Sequence, residues 1–169
     1  IQYLYELKSM PEKIQMILNS SDYINKLTNK VLASKYVCFI GRSFDYCSAM
    51  EGALKLKEVS YIPCESYAAG ELKHGTISLI SNDSLIIGIK CCNEIKSKTM
   101  NNIDECKARG AEILLISTEN GDITVPQTND IFYPLLEAVP LQLLAYYTAK
   151  KKGCEIDKPR NLAKSVTVE

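Results

Sequence analysis

The apolar positions of this chain change period several times, and the changes set out a succession of helices and strands. Leu4 and Leu7, then Ile14, Ile17 and Leu18, make two short amphipathic turns of helix, with Pro11 between them suiting a first helical turn. Ser21 can cap a further helix through Ile24, Leu27 and Leu32. Residues 36–40 form a short continuous apolar run closed by Gly41, the pattern of a strand buried on both faces. From about 45 to 61 the period is helical again, carried by Met50, Leu54, Leu56 and Val59. Residues 85–89 read as the next buried strand, 95–108 as a helix stopped by Gly110, and 113–116 as a third strand. A weaker strand is expected at 131–133, followed by a helix over 137–151, while 153–169 has no strong period. Strands alternating with helices of these lengths predict an α/β fold in which a parallel sheet is flanked by helices on both faces.

Composition narrows the classes. The 169 residues suffice for one domain with a sizeable core. Twenty basic and twenty acidic side chains cancel, so there is no overall field to draw in nucleic acid or a membrane surface, and any anion site must be local. Seven cysteines without a C-x-x-C pair argue against both a disulfide framework and a tetrahedral zinc site, and they suit a reducing, cytoplasmic compartment. No run is apolar and long enough to span a bilayer. The chain opens without Met directly on a helical pattern, which leads us to expect a piece of something longer.

Ligands of such sheets bind beyond the carboxyl ends of the strands, near helix N-termini. Gly41-Arg42-Ser43, between the first strand and its helix, is one candidate: either a phosphate cradle or a plain strand-to-helix turn. The other is the run 51–75. On a helix Lys55 shares a face with both Glu51 and Glu58, which is the spacing of a solvated salt-bridge ladder or of a working carboxylate and its lysine. After it come Ala68, Ala69, Gly70 and Gly75, small residues that let backbone approach closely, with the chain's single histidine, His74, among them.

Four blocks occur in order: Glu51-Gly-Ala-Leu-Lys-Leu-Lys-Glu-Val-Ser-Tyr61, Tyr67-Ala-Ala-Gly-Glu-Leu-Lys-His-Gly75, Val139-Pro-Leu-Gln-Leu-Leu-Ala-Tyr146, and Pro159-Arg-Asn-Leu-Ala-Lys-Ser-Val-Thr-Val-Glu169. Together they resemble the C-terminal half of the isomerase domain of the glucosamine-6-phosphate synthase family, the isomerizing glutamine–fructose-6-phosphate aminotransferases. The resemblance spans essentially the whole chain. It implies a second sugar isomerase (SIS) subdomain over 1–152, a flavodoxin-like three-layer sandwich with N-terminal linker helices over 1–34, and a C-terminal tail over 153–169. It further implies formation of glucosamine 6-phosphate and glutamate from fructose 6-phosphate and glutamine, without a metal or an organic cofactor. The implied partners are a first SIS subdomain, a glutaminase domain and a second copy of the chain.

The roles implied by that resemblance make chemical sense residue by residue. Glu58 moves a proton between C1 and C2 of the open-chain sugar, as a carboxylate in a partly dry site can. Lys164 supplies the amine of a Schiff base at C2, and Ala163 beside it contacts substrate. His74 assists ring opening and reaches the site of the neighbouring subunit. Lys55 touches hydroxyls or tunes the glutamate. Gly41 and Ser43 are carried as substrate contacts, although the family grips phosphate mainly through serine- and threonine-rich loops of the first subdomain. Thr76 stands where many relatives carry proline, which loosens the turn after His74. A non-catalytic sugar-phosphate sensor and a sugar-phosphate deglycase are the competing readings.

Overall fold

The computed structural model describes residues 2–162. In chain order they form α1 (Gln2–Leu18), α2 (Ser21–Ala33), β1 (Tyr36–Gly41), α3 (Phe44–Ser60), β2 (Cys64–Ala68), β3 (Ser84–Lys90), α4 (Lys96–Lys107), β4 (Glu112–Ser117), β5 (Ile123–Thr124) and α5 (Tyr133–Lys151). Two 3₁₀ turns, Ala69–His74 and Thr76–Leu79, connect β2 to β3. All strand pairs are parallel, and the order across the sheet is β2-β1-β3-β4-β5. This is the flavodoxin-like winding, in which the order of strand addition reverses between β1 and β3 and opens a crevice at their carboxyl ends.

Alternation along the strands divides the core in two. Val37, Phe39, Leu85, Ile87, Ile89, Leu114 and Ile116 share one cluster with Ala49, Ala53 and Leu56 of α3 and Leu136, Leu141 and Leu144 of α5. Met10 and Ile17 of α1, and Ile24, Leu27 and Val31 of α2, belong to the same cluster. Cys38, Ile40, Ile86 and Leu115 face the other way, against Leu72, Ile103 and Cys106. Leu85, Ile86, Ile87 and Ile89 are fully buried, each contributing about 1.5–3 kcal/mol from the area removed from water. Three layers result. Among the described residues no helix is long and apolar enough to cross a membrane.

The structure corrects several sequence expectations. α1 is one helix that runs through Pro11. Pro11 is exposed, so the carbonyl it leaves without a helical donor can be hydrated, while buried Met10 and Ile17 hold the turns on either side. Ser20, not Ser21, takes the N-cap position of α2, and its hydroxyl donates back to the Ile17 carbonyl (2.7 Å). The expected strand at 131–133 is a 3₁₀ turn, Asp130–Phe132, running into α5, whose first turn accommodates Pro134. β2 and the two-residue β5 are strands that the apolar pattern does not announce.

Candidate functional site

Chain direction decides where the candidate residues stand. β1 rises to the carboxyl edge of the sheet, α3 descends from it, and β2 rises again. Glu58, in the last turn of α3, therefore lies near the amino ends of the strands, and His74, just past β2, lies near their carboxyl ends. The five residues of β2 separate these ends by about 13 Å. The sequence run 51–75 is thus divided between two places.

At the amino end, Lys55 Nζ is ion-paired with Glu58 Oε2 one turn on, and lies 3.9 Å from Glu51 Oε1. Both side chains of the closer pair are half-buried. The hydrogen bond to Glu58 raises the Lys55 pKa above its ordinary value and keeps the ammonium charged. Lys55 also lines a recess of about 160 Å³ with Val59, Gln142, Ala145, Tyr146 and Ile156. Ile156 belongs to the segment after α5, so the tail helps to close this recess.

The end of α5 and the tail both land on the same helix end. Lys152 Nζ donates to the Ser60 carbonyl (2.6 Å), and the Cys154 thiol approaches it at 3.9 Å. The Arg160 backbone N–H donates to the Tyr61 hydroxyl (2.8 Å), and the Arg160 guanidinium sits 4.2 Å from the centre of the Tyr61 ring. Ala163 and Lys164 lie outside the described residues.

At the carboxyl end, His74 is largely exposed, with Nε2 3.7 Å from Glu71 Oε2. The 3₁₀ turn that carries it is braced from below. Arg42 donates through Nε (3.3 Å) and Nη2 (2.9 Å) to Asn102 Oδ1, and its guanidinium fills the space that a Cβ on Gly70 would occupy. Thr76 opens a second 3₁₀ turn directly after Gly75.

The crevice between β1 and β3 is occupied from within. The Asp45 carboxylate accepts from the backbone N–H groups of Cys91 (3.2 Å) and Cys92 (3.1 Å), the amides at the carboxyl end of β3. Burial raises its pKa, and those hydrogen bonds oppose the rise. Beside it Glu137 of α5 is fully buried, and neither of its oxygens has a hydrogen-bond partner among the described residues. Burial first, and then the Asp45 charge, lift the Glu137 pKa to about 8. Gly41 is a glycine because a Cβ there would meet the Asp45 carbonyl at 2.5 Å, and Ser43 (φ 52°) caps α3 without a side-chain bond. This geometry favours a tight turn at Gly41 and Ser43 over an anion cradle. Among the described residues no cluster of three metal-ligating side chains exists.

Sequence reasoning missed Tyr61, the Arg42 brace and the Asp45–Glu137 pair. Each depends on a partner far along the chain. For Tyr61 the one local cue was Pro63, which marks a helix end but not what the end holds.

Residues 31–149 match the SIS domain family. The chain is 46% identical to the isomerizing glutamine–fructose-6-phosphate aminotransferase of Caldanaerobacter subterraneus subsp. tengcongensis, over 100% of this chain and 29% of that protein. It is 47% identical to that of Clostridium tetani, over 97% and 28%. It therefore spans less than a third of the length of these curated relatives. In structure it is similar to the C-terminal domain of glucosamine-fructose-6-phosphate aminotransferase from Francisella tularensis, with a TM-score of 0.84 and 33% identity over 93% of this chain and 47% of that one. It is also similar to a glucosamine-6-phosphate deaminase from Thermotoga maritima, with a TM-score of 0.75 and 28% identity over 96% and 48%.

Proposed function

We propose, for a chain that belongs to the SIS domain family, that it forms the proton-transfer half of the sugar site in an isomerizing glutamine–fructose-6-phosphate aminotransferase. Glutamine supplies ammonia and leaves as glutamate; fructose 6-phosphate becomes glucosamine 6-phosphate. The Lys164 amine condenses with the C2 carbonyl and releases water, and ammonia then displaces the lysine. Glu58 removes a proton from C1 and returns one to C2, a carboxylate serving as base and then as acid. Lys55 holds the Glu58 carboxylate in place and offers its ammonium to substrate hydroxyls, and His74 exchanges the proton of the opening ring. Ala163 contacts substrate beside the lysine. Gly41 and Ser43 have the weakest support as substrate contacts.

The observation that carries this reading is where the tail is held. Arg160 is bonded to Tyr61, three residues past Glu58. Lys164 is four residues beyond Arg160, and four residues of chain reach at most about 14 Å. The amine and the carboxylate can therefore meet at one sugar.

The separation of Glu58 from His74 favours a homodimer in which His74 serves the sugar held by the other copy. A first SIS unit and a glutaminase domain complete the protein. Seven free cysteines fit the cytoplasm. The test is to make Glu58→Gln and Lys164→Ala in the full-length protein and to measure glucosamine 6-phosphate formation from fructose 6-phosphate and glutamine. A loss of 100-fold or more is expected in each, and near-normal rates in both would defeat the assignment. A second reading, release of ammonia from glucosamine 6-phosphate, is favoured by the likeness to the Thermotoga maritima deaminase. Ammonia release with no glutamine-dependent synthesis would select it.

A further inference from the structure

We propose that Tyr61 is the positioning residue that anchors the tail so that Lys164 meets the sugar beside Glu58; this rests on the reading of Lys164 as the amine donor.

The first observation is backbone geometry. Tyr61 ends α3 in the left-handed region (φ 58°, ψ 22°), with its N–H bonded to the Lys57 carbonyl (3.0 Å). Glycine is the usual residue in that place, because a side chain there crowds its own backbone. A tyrosine held in a disfavoured conformation calls for something that its side chain does.

The second observation is what the side chain touches. The hydroxyl accepts the Arg160 N–H, and the ring faces the Arg160 guanidinium, so one residue grips both backbone and side chain of the tail. Ser60 next to it receives Lys152 and Cys154. Two points of the tail, Cys154 and Arg160, and Lys152 at the end of α5 converge on two residues at the end of the Glu58 helix.

The consequence is a shorter tether. With the clasp closed, four residues separate Arg160 from Lys164; with it open, ten separate Cys154 from Lys164. Holding Arg160 fixes the point from which the chain reaches Lys164, so opening the clasp leaves the amine less often placed at the sugar. Lost orientation adds to this.

Tyr61→Gly in the full-length protein separates position from fold, since glycine accepts the left-handed turn while removing ring and hydroxyl. We expect kcat for glucosamine 6-phosphate to fall about tenfold. Borohydride trapping of Lys164 with fructose 6-phosphate should slow by the same factor, while the KM for glutamine and the melting temperature hold. Hydrogen exchange at the Arg160 amide should quicken. Tyr61→Phe keeps the ring and loses only the bond to Arg160, so its Arg160 exchange should also quicken, and it decides the matter if the glycine variant unfolds. Wild-type kcat and trapping in these variants, with Lys164→Ala inactive, would overturn the proposal alone. An active Lys164→Ala would instead overturn the reading beneath it.

Discussion

Replacing Glu137 with glutamine should remove a pH dependence of stability that the buried carboxyl imposes. The side chain is completely buried, its oxygens lack hydrogen-bond partners among the described residues, and its folded pKa of about 8 lies above the value of a solvated glutamate. The sign follows from proton counting. Below pH 4 both folded and unfolded chains hold the proton, and the group adds no slope. Between about pH 4.5 and 8 the folded chain holds one proton more, so stability falls as pH rises, by about 1.4 kcal/mol per pH unit. Above pH 8 the loss is complete.

Asp45 faces Glu137 and is also raised by burial, so the two titrate as a pair; the Cys91 and Cys92 thiols beside them are raised by burial and stay neutral through this range. Glutamine cannot ionise, and it keeps the size and shape of the glutamate side chain beside Asp45. Urea unfolding at half-unit steps from pH 5.5 to 8.5, read by circular dichroism, should show a falling curve for the wild-type domain. The Glu137→Gln curve should be flatter, with the difference between the two curves changing by roughly 2 kcal/mol over the two units from pH 6 to 8. Parallel curves would refute the reasoning, because they would mean that Glu137 binds no extra proton on folding.

Three other substitutions test the packing of α3 and of the turn that carries His74. Gly52→Ala places a Cβ 2.7 Å from Leu141 Cδ2 where α3 meets α5, and should cost about 1–3 kcal/mol in urea unfolding. Leu56→Ala, at a fully buried position of α3, should cost about 2–5 kcal/mol by the same measurement. Gly70→Ala puts a Cβ 2.6 Å from Arg42 Nη2, so the guanidinium must leave Asn102; a loss of about 1 kcal/mol and faster tryptic cleavage at Lys73 are expected.

How much of this was legible depended on whether the signal was local. β1, β3 and β4 announce themselves because strands buried on both faces read as unbroken apolar runs. β2 lies at the sheet edge, where Glu65 is exposed and its strand neighbours Ser66 and Tyr67 are only partly buried, so no apolar run forms. Pro11 misled because a single-residue rule gave way to packing at Met10 and Ile17. The Lys55–Glu58 pair was legible, since three residues on a helix fix a shared face. Asp45 and Glu137 were not: one opens α3, the other sits in α5, and only the closed sheet brings their carboxyls together.

The same topology argues against a single site within one copy. α3 has seventeen residues and spans about 25 Å, and its two ends face different surroundings. Its first turn sits at the crevice, where Asp45 already supplies the anion to the Cys91 and Cys92 amides and leaves those donors none to offer a phosphate. Its last two turns carry Lys55 and Glu58 and meet the tail, with a carboxylate, an ammonium and a held peptide but no described cluster of amides facing a ligand. A sugar phosphate bound beside Glu58 must therefore take its phosphate grip from another segment. If His74 acts on a sugar held by Glu58, that histidine must come from another copy, since its own lies beyond the opposite end of β2. A monomeric full-length protein with undiminished activity would contradict this division.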